Sequence, residues 1–124
     1  MLAPLLEATI DRELVYLRQT SATQAAQVPK PGTWSPKQEL GHLVDSAVNN
    51  HVRMAGAAIS GSFSGPTYAQ DAWVELHGYQ SMPWLELIDL WYDHNRLVVQ
   101  LVRRIPAERM ERDRKSTRLN SSHQ

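Results

Sequence analysis

The sequence contains no cysteine. That excludes a disulfide framework, a thiolate nucleophile and a Cys-based zinc site, so any metal would have to be held by His, Asp or Glu. No stretch approaches the roughly 18 apolar residues that a membrane helix requires, and nothing reads as a charged n-region followed by an apolar h-region. The expected compartment is the cytoplasm. Charge of one sign is also missing: Lys and Arg total 13, as do Asp and Glu. Such a balance lacks the basic surface that nucleic acid or an anionic membrane selects, so neither is expected as a partner. There is no strand-like alternation and no repeat of 20–50 residues. What remains is a 124-residue chain, 42% hydrophobic and 21% charged, that suits one globular domain with one core.

Three long amphipathic helices organise the chain. Leu6, Ile10, Leu14 and Leu17 recur at helical spacing over Leu5–Gln19, and Pro4 suits the first turn. Thr20 to Thr33 reads as a polar connection interrupted by Pro29, Pro31 and Gly32. Ser35-Pro36-Lys37-Gln38 then supplies a capping Ser, a Pro at the first helical position and a Gln three residues after the cap. This start predicts a helix from Pro36 to about Ile59, ended by Gly61, Ser62, Ser64, Gly65 and Pro66. Residues 60–83 read as a long connection with one short helix near Gln70–Leu76; connections of this length often act as functional covers. The third helix runs from about Pro83 to Arg104 and stops at Pro106. Glu86, Asp89, Asp93, Arg96, Gln100 and Arg103 mark its solvent face. Leu87, Trp91, His94, Val98 and Leu101 mark its buried side, with Ile88, Asn95 and Val102 beside it. The class is all-α, and three such helices with a long crossover suggest a four-helix bundle without its last member.

The second helix carries the chemistry. At 100° per residue, Leu40, Leu43, Val44, Ala47, Val48, Met54, Ala55 and Ala58 form a broad apolar arc. Asp45, Ser46, Asn49 and Arg53 fall near His42 in a narrow polar stripe. An ordinary solvated face would be rich in Lys and Glu, yet neither occurs between Gly41 and Ile59. The stripe is either solvent-facing or the lining of a water-filled cleft. His51 falls in the middle of the apolar arc, where an imidazole is more often a core residue than a ligand. His94, on the inner side of the third helix, is able to approach the same cleft or to be structural. The place of His77 in the long connection is undetermined. Periodicity alone does not choose a metal ligand.

The stretch Gly32-Thr33-Trp34-Ser35-Pro36-Lys37-Gln38-Glu39-Leu40-Gly41-His42-Leu43-Val44-Asp45-Ser46 resembles the signature of the DinB/YfiT-like superfamily, with Trp34, His42 and Asp45 on its pattern. Trp84, Trp91, Asn95 and the Ile105-Pro106 ending resemble that family's third helix. The resemblance covers about residues 1–112. It implies an up-down four-helix bundle holding a divalent metal, zinc or nickel, by three His. One ligand would be His42; the other two would come as a His-x-x-x-His pair on the fourth helix. No such pair occurs in this sequence, so it supplies one of three expected ligands. Members are described as metal-dependent hydrolases or as transferases acting with low-molecular-weight thiols, which makes a small molecule, such as a thiol, the expected substrate. Asp45 would orient His42 through its second ring nitrogen, act as a base, or be merely a neighbour on the helix. Asn49, His94 and Asn95 are expected in the same groove, with His51 buried among apolar side chains. The alternative is a non-catalytic bundle that binds a small molecule or a partner helix.

From Asp113 to His123 one residue in eleven is apolar and no period appears. The string resembles the translated adaptor of a sequencing library, the alternative being a natural disordered tail. Residues 113–124 are therefore set apart from the 1–112 helical domain as non-native or disordered, and His123 is given no functional weight. Without Arg114, Lys115 and Arg118 against Asp113, 10 basic and 12 acidic residues remain. A bundle cut short before its fourth helix would expose an apolar groove, so poor solubility or a homodimer covering it is expected.

Overall fold

A computed structural model of the chain describes residues 2–61 and 67–106. The expectations for residues 113–124 and for a fourth helix after residue 112 lie outside the described residues. Within them every regular element is helical: α1 (Leu2–Gln19), α2 (Ala22–Ala25), α3 (Pro36–Ser60), α4 (Gln70–His77), a 3-10 turn at Tyr79–Ser81, and α5 (Trp84–Arg104).

The helix starts follow from local chemistry. Ser35 Oγ accepts from the Gln38 backbone N–H at 3.1 Å, and Gln38 Oε1 accepts from the Ser35 N–H at 2.9 Å. With Pro36 in the first turn, the α3 start satisfies donors that a bare helix end leaves exposed. Gly61 ends α3 in the left-handed region, at φ 87°. The same capping box recurs between Ser21 and Gln24 and creates α2, a helix absent from the sequence-based reading. The Ser-x-x-Gln signal is there, but the prolines and glycine that follow it read as loop. Gln80 joins the two capped starts: it accepts from Ser35 Oγ, and its Nε2 donates to the Ala26 carbonyl at 2.8 Å.

Cross-chain contacts give the helix directions. Trp84 Nε1 donates to the Thr20 carbonyl at 2.9 Å, Tyr92 meets Asp11 at 3.3 Å, and Arg103 pairs with Glu7. Rising numbers on α5 thus meet falling numbers on α1, so the two are antiparallel. By contrast, Ser35 meets Gln80 while His51 meets His94, so α3 and α5 run parallel. The long crossover makes this possible, because it carries the chain back to the end where α3 began. Helix α5 packs against both α1 and α3, which hardly touch each other.

The buried core draws Ile10 and Leu14 from α1, Leu40 and Val44 from α3, Val74 from α4, and Leu87, Ile88, Trp91, Val98, Val99 and Val102 from α5. All six residues assigned to the solvent face of α5 are exposed. Large apolar side chains also stand exposed, including Leu43, Val52 and Ile59 on α3 and Leu85, Leu90 and Leu97 on α5.

Ser35 is fully buried, and its hydroxyl serves both the α3 cap and Gln80. Replacing it by Ala is expected to cost about 1–2 kcal/mol, measured as a lowered midpoint in urea unfolding. Ser21→Ala, at an exposed cap on a single turn, is expected to cost less.

Candidate functional site

The polar stripe of α3 does not face bulk solvent: His42, Ser46 and Asn49 are half-buried and Asp45 is only 1% exposed. What covers it is the crossover. Gly78, at φ 64°, ends α4 in the left-handed region that L side chains adopt only at a cost, and the backbone turns at once into the 3-10 segment. That reversal delivers His77 and Tyr79, on either side of Gly78, to the same carboxylate.

The Tyr79 hydroxyl donates to Asp45 Oδ1 at 2.6 Å, a length typical of an O–H bond to an ionised carboxylate. His77 Nδ1 lies 3.0 Å from the same oxygen. Asp45 Oδ2 is buried and meets no hydrogen-bond donor among the described residues. One turn earlier on α3, Gly41 makes room for the Tyr79 ring: a Cβ there would stand 2.1 Å from a ring carbon. A side chain at position 41 would therefore push Tyr79 off Asp45. Burial first, and then the hydrogen bond to Asp45, push the Tyr79 phenol well above its ordinary value.

His42 sits beside this group under different neighbours. The Trp34 ring lies 5.2 Å from it, tilted by 39°. Tyr68 hydrogen-bonds Ser46 Oγ at 2.7 Å and comes within 3.5 Å of His42 Nδ1, a weak contact. Trp73 stands edge-on to both Tyr68 and His77, with ring centroids 5.1 and 5.6 Å away. The site is thus an aromatic-walled patch in which one imidazole, His77, meets a buried carboxylate and a second, His42, stands beside Trp34 and Tyr68.

Several expectations about these residues need correction. Asp45 does not orient His42; its side-chain partners are His77 and Tyr79, which the crossover brings to it. His94 does not join His42. It stacks against His51 at 5.2 Å, and nine residues of α3, about 13.5 Å of rise, separate His51 from His42. His51 is half-buried against that ring rather than enclosed by apolar side chains, and burial followed by repulsion from His94 lowers its affinity for a proton. Asn49 and Asn95 turn their amides back onto their own helices, to the carbonyls of Asp45 and Trp91. His94 Nε2 is buried and meets no hydrogen-bond partner among the described residues.

Sequence reasoning missed Tyr68, Trp73 and Tyr79 and left His77 unplaced. A signal was available. Half of the chain's eight Trp and Tyr residues lie between positions 68 and 84, an aromatic density that a plain surface connection does not need.

The described residues do not by themselves make up a three-ligand metal centre. Among the described residues no three His, Asp or Glu side chains come together as a metal ion would require. His42 is the one residue at the position the family resemblance assigns to a ligand, and the accessible chemistry of Asp45 Oδ1 is already taken by Tyr79 and His77.

The raised Tyr79 value has a defined consequence for stability. The folded chain holds the neutral phenol where the unfolded chain ionises it, near pH 10. Its contribution is therefore fully present below about pH 10 and is lost as the pH rises beyond it. Tyr79→Phe is expected to flatten the alkaline fall in stability, read as urea midpoints between pH 8 and about pH 11. An unchanged alkaline slope would contradict the buried hydrogen bond.

Comparison with curated proteins and with solved structures gives no significant match. Comparison with family models gives one described as the DinB superfamily, over residues 5–120. The matched range takes in the capped start of α3, His42 and Asp45, the whole crossover and α5. Together with the helical architecture, this match places the chain in the DinB superfamily.

Proposed function

We propose that this chain is a DinB-type protein of the metal-dependent class, a hydrolase or a transferase acting with a low-molecular-weight thiol, in which His42 is the zinc or nickel ligand contributed by α3. The observation that carries the reading is the state of His42 within the matched family segment. Trp34 covers the ring, Nδ1 turns toward Tyr68, and Nε2 makes no hydrogen bond among the described residues. One imidazole nitrogen is thereby left for a ligand. A single imidazole does not hold a divalent ion against water, so the metal reading requires donors beyond the described residues.

The lack of a three-ligand group among those residues favours a second reading, a bundle that binds a small molecule without catalysis. Trp34, Tyr68 and Trp73 supply its apolar walls, and the edges of His42 and His77 supply its polar contacts.

Paramagnetic nickel added to the 124-residue chain separates the two. The metal reading predicts that the His42 imidazole resonances broaden before those of any other histidine. It also predicts that His42→Ala abolishes the early broadening and that acidification below about pH 6 reverses it, as protons compete for the ring. Broadening that starts at His51 and His94 before His42 would overturn the metal assignment and leave the binding module.

A further inference from the structure

We propose that His77 and Asp45 form a proton-transfer dyad, in which His77 Nε2 accepts a proton from an O–H or S–H group of a small molecule entering the site. The proposal goes beyond the metal reading and does not depend on His42 binding an ion.

Three features of the geometry support it. The first is the asymmetry of exposure along the pair: the Asp45 side chain is 1% exposed, whereas that of His77 is 42% exposed. A surface ion pair would be open at both ends, and a structural tie in the core would be closed at both. This pair is closed at the carboxylate and open at the imidazole, which suits a base that must meet a substrate while its partner stays dry. The second is orientation. Nδ1 of His77 is the ring nitrogen that meets Asp45 Oδ1, in an ion-pair contact of 3.0 Å. A carboxylate oxygen at this distance favours a proton on Nδ1 over a lone pair there, which leaves the lone pair on Nε2. The third is rigidity. The rings of Trp73 and Tyr79 flank the imidazole at 5.6 and 5.2 Å, and the Tyr79 hydroxyl fixes the same Asp45 oxygen at 2.6 Å. A base held in this way loses little orientational freedom when it acts.

The step balances without a further reactant. The O–H or S–H bond of the nucleophile breaks, its electron pair stays on oxygen or sulfur, and the proton moves to Nε2. The resulting imidazolium keeps Nδ1–H on Asp45, whose negative charge stabilises it. Asp45 is a positioning residue here; it acts through His77 and, being buried, does not meet the substrate.

The experiment uses the full chain and two readouts. Nitrogen-15 NMR of the neutral histidines reports which ring nitrogen carries the proton, and diethyl pyrocarbonate, followed by mass spectrometry, reports the reactivity of each imidazole. His77 is expected in the Nδ1–H form. It is expected to react faster than His51 or His94 and to lose that reactivity severalfold in Asp45→Asn, whose amide also offers Nδ1 an N–H and weakens the choice of tautomer. If Asp45→Asn does not fold, the wild-type tautomer alone decides. An Nε2–H tautomer would overturn the proposal and leave a structural tie, as would reactivity indifferent to Asp45, which exposure alone would produce.

Discussion

A carboxylate shut away from water has to be compensated, and in this chain the compensation of Asp45 determines how the second half folds onto the first. An uncompensated buried charge costs several kcal/mol, enough to unfold a small domain. Asp45 lies on α3, and its hydroxyl and imidazole partners come from the crossover more than thirty residues later. Several otherwise unrelated details serve that meeting. Gly41 leaves a hollow that only a residue without a side chain provides, and Tyr79 fills it. Gly78 takes the left-handed conformation that lets residues 77 and 79 reach one oxygen. Gln80, next in line, then ties the crossover to the α3 cap and to the end of α2.

The parallel run of α3 and α5 depends on the same tie. A short link would have made these helices antiparallel, whereas the crossover returns the chain to the Ser35 end before α5 starts. Helix α5 then lies between α1 and α3 and contributes most of the core, from Trp84 to Val102. The surface pairs of Glu7 with Arg96 and Arg103 align α1 on α5 but add little energy, since all three groups are partly open to solvent.

Much of this was legible in the sequence, for reasons specific to each element. Ser35, Pro36 and Gln38 act within one turn, so the α3 start could be read locally. The solvent face of α5 could be read because charges repeat there at helical spacing. Periodicity gives faces but not partners. It placed Asp45 in a narrow stripe with His42, yet could not show that the carboxylate turns to His77 and Tyr79, because that pairing depends on the path of a connection bent by Gly78. For the same reason periodicity leaves His94 open between the His42 groove and a structural place, and the parallel register of α3 and α5 sets it against His51. The candidate site therefore contains two histidines with separate neighbours, His42 under Trp34 and His77 on Asp45, and membership of the DinB superfamily bears on the first more directly than on the second.

The central claim is that the Asp45 carboxylate and the Tyr79 hydroxyl are energetically coupled across the crossover. A double-mutant cycle with Asp45→Ala and Tyr79→Phe, followed by urea unfolding at neutral pH, measures that coupling directly. The account predicts an interaction energy of about 1.5–3 kcal/mol, the range for a hydrogen bond to a charged group. Additive effects of the two substitutions would contradict it.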